Sequence, residues 1–342
     1  MNSSLFSKQN IKIYLPPNRD SLNDATQYYV ELIERAIKKS GGTSIRCKNI
    51  KDVKWGETVL TIELFTFIQC FFLKNARIFH WAQGISPEEA YLNNPSKLSY
   101  YIKCLLEFFV LKFSKKLFLV SEAMLLHYEK KYKISISKKS IIIPCYNKHL
   151  LKEPFFTESR YHTPTFVYAG SLSKWQCFEE MIAIYKGIEE KIENCKLTIL
   201  TAETKKANNI LKQNELKNFE VKYVPLAELE KELSKYKYGF LIRKHDIINY
   251  VATPTKMNSY LSVGLIPIFT DAIGDFNKKI NLEEYELKLL GNINIETSVK
   301  KIIAFEKNVN ILPKKYYFLV KQVFNNYYSD KKNIDLIITK NK

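Results

Sequence analysis

Short runs of β-branched and aromatic residues alternate along this chain with longer stretches whose apolar positions recur at helical spacing. In the first half the runs are "IKIYL" (11–15), "TVLTI" (58–62), "RIFHW" (77–81), "KLFLV" (116–120) and "SIIIP" (140–144); segments 24–39 and 97–113 between them have helical period. An apolar run of this length bounded by polar turns reads as a buried strand, and strands separated by helices pair in parallel. A second series begins after the polar, proline-containing stretch "KEPFFTESRYHTPT". Its strands are expected at 165–170, 196–201, 219–224, 238–243 and 265–270, with helices over 178–191, 205–213, 226–236 and 254–263. Two series of similar size predict an α/β protein of two Rossmann-like domains, residues 1–155 and 163–313. The closing segment 314–342, which opens with the helical piece "KKYYFLVKQVFNNYY", is expected to cross back to the first domain.

Composition narrows the class. The 342 residues are 46% hydrophobic and 13% aromatic, enough to fill two cores, which excludes a disordered chain. Lys and Arg number 53 against 35 Asp and Glu, a formal net charge of +18. That excess favours anionic partners: nucleic acid, acidic phospholipid or phosphorylated substrates. The chain lacks the basic–aromatic RNP pattern and a P-loop, so no nucleic-acid partner is expected. The six cysteines are widely spaced without C-x-x-C pairs, which fits reduced thiols in a cytoplasmic protein. "MNSSLFSKQN" lacks the apolar core of a signal peptide. The most apolar run, 59–73, is interrupted by Glu63 and Gln69 and falls short of the ~20 residues that span a bilayer. A soluble protein, or one resting on a membrane surface, follows.

The chemistry concentrates in "NYVATPTKMNSYLSVGLIPIFTD" (249–271). Thr253 suits an N-cap, Pro254 the first helical position, and Thr255 and Lys256 the first turn. A helix N-terminus offers free N–H groups and a positive dipole, and with Lys256 and Arg243 nearby it suits a diphosphate. The plainer alternative is a well-capped helix with a solvated lysine. The loop "SLSKWQ" after the 165–170 run supplies Gly170, where a backbone can approach a ligand, followed by Ser171, Lys174 and Gln176. His80 ends "RIFHW" and can act as a base or hydrogen-bond donor, or equally satisfy a core hydrogen bond. Glu88 and Glu89 follow Pro87; Glu88 is a candidate base, and both are equally the ordinary acidic start of a helix. The stretch "KLSYYIKCLLEFFVLKFSKK" reads either as a core helix or as a basic amphipathic helix that docks on anionic lipid. With no cluster of acidic metal ligands, a metal-independent mechanism without a cofactor is expected.

"FVYAGSLSKWQCFEEMI", "YGFLIRKHDIINYVATPTKMNSYLSVGLIPIFT", "VSEAMLLHYEKKY" and "RIFHWAQGISPEEAYL" together resemble the bacterial GT-B glycosyltransferases, nearest to the family 4-like enzymes of capsule and lipopolysaccharide synthesis. The resemblance implies two facing Rossmann-like domains with a central cleft, the nucleotide-sugar donor held by the second and the acceptor by the first. It sets Gly170 and Ser171 beside the donor phosphates and Thr253, Thr255 and Lys256 at the pyrophosphate helix. Val224, Leu226 and the loop at Thr201 would border the nucleoside, and Asn18, Arg19 and Asp20 would contact the acceptor. The chain departs from that pattern where the family usually carries two glutamates: Val251 and Ser259 stand there, leaving a hydroxyl to face the ribose. The usual strand-end Arg is Ser171 and the usual Lys is Gln176, so the clamp falls to Arg243, Lys256 or Lys174.

The expected activity is transfer of a sugar from a nucleotide donor to a lipid-linked or oligosaccharide acceptor in surface polysaccharide synthesis, at the inner face of the plasma membrane. Two competitors are a nucleotide-sugar epimerase of the same fold and a catalytically silent GT-B partner subunit, the latter motivated by the missing acids.

Overall fold

The computed structural model describes Phe6, residues 9–15 and residues 24–339. The chain forms two compact units. Unit 1 comprises Met1–Asn147, Val251–Thr253 and Ser329–Lys342; unit 2 comprises Lys148–Tyr250 and Pro254–Tyr328.

Unit 1 is built on six strands: β1 (Asn10–Tyr14), β2 (Thr43–Cys47), β3 (Thr58–Thr61), β4 (Arg77–Ala82), β5 (Lys116–Leu119) and β6 (Ser140–Ile142). They pair in parallel in the order β2-β1-β3-β4-β5-β6. Helices α1 (Asp24–Lys39), α2 (Leu64–Lys74), α3 (Ser86–Asn93), α4 (Lys97–Phe113) and α5 (Glu122–Tyr132) connect them. The central strands are apolar on both faces because helices cover both; β3 is buried at every position. The core includes Val59, Leu117 and Phe118, and Tyr29 of α1 stacks on Trp81 at 3.7 Å between ring centroids. The Ser121 hydroxyl caps α5 by accepting from the Met124 N–H at 2.9 Å.

Unit 2 repeats the plan with β7 (Thr165–Ala169), β8 (Lys196–Leu200), β9 (Phe219–Lys222), β10 (Tyr238–Leu241), β11 (Ile266–Thr270) and β12 (Leu287–Leu289). Their parallel order is β12-β11-β10-β7-β8-β9, so the direction of winding reverses between β7 and β10. Helices α6 (Phe178–Glu189), α7 (Thr204–Gln213), α8 (Leu229–Leu233), α9 (Ile247–Val251) and α10 (Thr255–Ser262) follow in turn. After them come α11 (Phe276–Lys279), α12 (Ile295–Asn308) and α13 (Pro313–Asn326). Phe166 stacks between Tyr238 and Phe240 at 5.0 and 5.6 Å, which ties β7 to β10 at the reversal.

The chain re-enters unit 1 at Ser329, and α14 (Asp330–Thr339) packs on α1. Asp330 anchors it: the carboxylate accepts from Tyr28 at 2.9 Å, Arg35 at 2.7 Å and Tyr146 at 2.8 Å. Burial pushes the Asp330 pKa up, but these donors outweigh it and hold the group below its usual value.

All ten strands expected from the apolar runs are present. The two that the runs did not predict, β2 and β12, lie at sheet edges. β2 is mostly exposed and reads "TSIRC", and β12 has three residues, so neither carries the apolar signature of a strand covered on both faces. Among the described residues no helix is long and apolar enough to cross a membrane.

Candidate functional site

In a doubly wound sheet the strands on either side of the reversal send their following loops apart and leave room at the carboxyl edge. In unit 2 those loops begin at Gly170, after β7, and at Arg243, after β10. Gly170 has φ +141°, a conformation open to glycine, and a Cβ there would lie 2.7 Å from Cε of Lys256. The absent side chain lets Lys256 lie along the loop with its Nζ 3.8 Å from the centre of the Tyr168 ring.

Two cations converge here. The Lys256 amine and the Arg243 guanidinium each donate to the Gln176 carboxamide oxygen at 2.7 Å, and Arg243 also donates to the Trp175 carbonyl at 2.9 Å. Among the described residues neither cation makes an ion pair. Arg243 is 4% exposed. Lys256 keeps part of its surface open, yet burial, reinforced by the charge of Arg243, lowers the pKa of its amine well below the usual range. Burial likewise lowers Arg243. Buried cations without counter-charges are costly, and an anion binding between them removes that cost.

α10 starts beside this pair. Its N-cap is Pro254, whose ψ of 129° is extended and which, among the described residues, supplies no side-chain cap. The expected cap is therefore corrected: the Thr253 hydroxyl instead accepts from the Cys145 N–H at 3.0 Å, and the helix opens one residue later at Thr255. Ser259 lies one turn on from Thr255, and its hydroxyl has no hydrogen bond among the described residues; Val251 is buried and its carbonyl accepts from Ser121.

The remaining expected residues of this site lie in the flanking loops. Ser171 is exposed, with its hydroxyl 2.9 Å from that of Ser173, and its carbonyl accepts from Tyr168. Lys174 is exposed on the turn Lys174–Gln176. Thr201 is buried after β8, its hydroxyl accepting from the Glu203 N–H at 3.2 Å, while Glu203 accepts from Leu172 N–H at 2.7 Å. Val224 is half-buried and Leu226 is 58% exposed. Gln176 and Tyr168, which hold the two cations in place, carry no motif that marks them; only the distances do.

Unit 1 has a cavity of about 400 Å³ at the carboxyl edges of β3 and β4, with Glu63, His80, Gln83, Glu89, Glu107 and Tyr128 among its lining residues. His80 is 2% exposed, its Nδ1 lies 2.9 Å from the Thr61 hydroxyl, and burial pulls its pKa down to about 3. It is a neutral imidazole at physiological pH. Burial raises Glu89, which accepts from the Ile85 N–H at 3.2 Å. Glu88 is not part of the cavity wall: it pairs with Lys131 at 2.8 Å, and His127 Nε2 stands 3.4 Å away. Burial pushes Glu88 up, but these partners offset it and the net shift is downward. Lys131 also pairs with the buried Glu107 at 3.1 Å. Asn18, Arg19 and Asp20 lie outside the described residues.

No family model matches the chain. No curated protein sequence matches it either. Among solved structures it is similar to TarM of S. aureus in complex with fondaparinux, α-GlcNAc-glycerol and UDP (13% identity, TM-score 0.65), over 86% of this chain and 57% of that one. The chain thus spans little more than half the length of TarM. WaaG, a glycosyltransferase involved in lipopolysaccharide biosynthesis, is 10% identical at TM-score 0.64 over 96% of this chain and 99% of its own. HepE of Anabaena in complex with UDP-glucose is 9% identical at TM-score 0.67 over 96% and 98%. Two parallel six-stranded α/β sheets, matched over nearly the whole chain by such structures, give this protein the GT-B fold.

Proposed function

We propose that this protein is a glycosyltransferase that moves a sugar from a nucleotide-sugar donor to a lipid-linked or oligosaccharide acceptor of bacterial surface polysaccharide, capsule or lipopolysaccharide. The observation that carries this reading is the cation pair, the buried Arg243 and the partly buried Lys256, meeting on one neutral oxygen at the sheet reversal of unit 2. The donor diphosphate lies against that pair and the uncapped start of α10 at Thr255, with Gly170 and Ser171 alongside and Lys174 at the rim. As the glycosidic bond to the diphosphate breaks, these groups stabilise the charge that grows on the leaving oxygens. No metal is needed for that step. Ser259, Thr201, Val224 and Leu226 border the nucleoside.

In unit 1 the carboxylate-lined cavity takes acceptor hydroxyls. His80 serves there as a neutral hydrogen-bond partner, because a group with a pKa near 3 is a poor base at neutral pH. The excess of +18 suits work at the anionic inner face of the plasma membrane.

Calorimetry with UDP and GDP tests the donor site. The wild-type chain should bind one of them, and Lys256→Ala should weaken it by roughly 30- to 150-fold, the loss of one charge-assisted contact of about 2–3 kcal/mol. Unchanged affinity in a folded variant removes the assignment. A second reading, a silent partner subunit, draws on the buried Val251 and on Ser259, which stand where the family that the chain resembles usually carries acids. It predicts nucleotide binding without turnover across a panel of nucleotide sugars.

A further inference from the structure

α4 does not place its apolar stripe in the core. Leu98, Tyr101, Ile102 and Leu105, spaced at helical i, i+3, i+4 and i+7, are 73%, 67%, 51% and 68% exposed, while Glu107, Val110 and Leu111 face inward. α2 is apolar on both sides: Phe67 and Cys70 are buried in the core, while Phe65, Phe72 and Leu73 are each more than half exposed on the opposite face. The two helices are joined side by side by aromatic rings, Phe72 on Phe109 at 5.6 Å and Phe71 on Phe109 at 5.0 Å. The exposed apolar positions therefore continue from one helix to the next. A contiguous patch of this kind marks an interaction surface.

Charge says what covers it. From Leu64 to Lys116 the chain holds seven cations (Lys74, Arg77, Lys97, Lys103, Lys112, Lys115 and Lys116) and three acids, Glu88, Glu89 and Glu107. None of the acids is on the outer face: Glu107 is buried, Glu88 pairs with Lys131, and Glu89 lines the cavity. Lys97, Lys112 and Lys115 are exposed, and the Lys112 amine lies over the Phe108 and Phe113 rings at 5.6 and 5.7 Å. Apolar and aromatic side chains edged by lysines, with acids withdrawn, match the boundary of an anionic bilayer, where rings sit among headgroups and amines meet phosphates. Phe65 belongs to this face and also lines the unit 1 cavity.

We propose that the outer face of α2 and α4 is a bilayer-docking surface, selective for anionic phospholipid, that sets the mouth of the unit 1 cavity at the headgroup level. The inference deepens the proposed function by naming the surface at which a lipid-borne acceptor is met, and its test is read separately from nucleotide binding.

The full chain is sedimented with vesicles of phosphatidylcholine alone or mixed with phosphatidylglycerol. It should pellet with the mixed vesicles and stay in solution with the neutral ones, and added salt should weaken binding. The double variant Leu98→Glu/Leu105→Glu should lose about tenfold or more in partitioning, by placing acids among the headgroups. Its melting temperature and nucleoside-diphosphate affinity should stay unchanged. Lys97→Gln/Lys112→Gln should lose less and should flatten the salt dependence. No pelleting of the wild type, equal pelleting on both vesicle types, or equal pelleting of the Glu variant overturns the proposal. So does a wild-type dimer that Leu105→Glu converts to monomer with vesicle binding intact, since the face is then a contact between copies. Failure of the vesicle test with nucleotide binding retained leaves the donor site standing, and the reverse outcome leaves the docking face standing.

Discussion

The carboxyl edges of the two sheets have related topology and opposite chemistry. In unit 2 the edge gathers two cations, one buried and one partly buried, that share one amide oxygen and, among the described residues, pair with no carboxylate. In unit 1 it gathers glutamates and a neutral histidine, and its buried charges answer one another: Glu88 and Glu107 both bind Lys131. Charge paired inside the protein holds the fold together. Charge buried without a partner is an expense of folding that only a ligand recovers. The difference separates a framework network from a binding site more clearly than the presence of charged residues does.

The largest effect should come from opening the network of unit 1. Glu107→Ala removes an acceptor that Lys131 and Tyr132 reach at 3.1 and 2.6 Å, and should cost about 3 kcal/mol of stability by chemical denaturation. A change within a few tenths would mean that Glu88 suffices for Lys131.

Unit 2 should respond in the opposite sense. Gln176→Glu supplies the missing carboxylate, so the protein should melt higher while losing about 2 kcal/mol of nucleoside-diphosphate affinity, roughly thirtyfold. Tighter or equal binding would contradict the cation pair as the phosphate site.

Acidification tests the histidine of unit 1. A histidine with its folded pKa near 3 binds fewer protons when folded than when unfolded, so its contribution is full above the unfolded value of about 6.5 and is lost as pH falls toward 3. One such group costs about 2 kcal/mol by pH ~5. Glu89 and Glu107, raised by burial, work the other way: their contribution grows on acidification and is lost as pH rises. Comparing the wild type with His80→Gln isolates the histidine, whose slope should vanish in the variant. The smallest effect is expected of Gly170→Ala, about 1–2 kcal/mol on stability from the strained φ, with weaker nucleotide binding as Lys256 is displaced.

How much was legible depended on how local the cause was. The helices Asp24–Lys39 and Lys97–Phe113 match the expected segments at both ends, since periodicity and flanking turns are written in adjacent residues. α2 was read only as an apolar run, because Glu63 and Gln69 interrupt it without setting a period that distinguishes helix from strand. Gly170, Arg243 and Lys256 were picked out from strand ends and a helix start; Gln176, whose oxygen Arg243 and Lys256 share, was named as a polar loop residue and as the replacement of a usual Lys, without the role the distances give it. Thr253 was expected to cap a helix and instead binds Cys145, a partner 108 residues away that no local pattern shows. Glu88 stood out beside Pro87, yet its neighbour Glu89 lines the cavity, a choice made by which side of α3 faces in.

The sequence by itself determined the α/β plan, the parallel pairing and the residues at the sheet edges able to meet an anion. These follow from propensity, apolar period and turn chemistry over a few residues at a time. Only the tertiary structure decided which charges are neutralised and which are left open, and that the apolar stripe of "KLSYYIKCLLEFFVLKFSKK" faces out rather than in. A stripe records only that a face is apolar; whether protein or solvent lies against it depends on what packs on the other side of the helix, which distant parts of the chain supply.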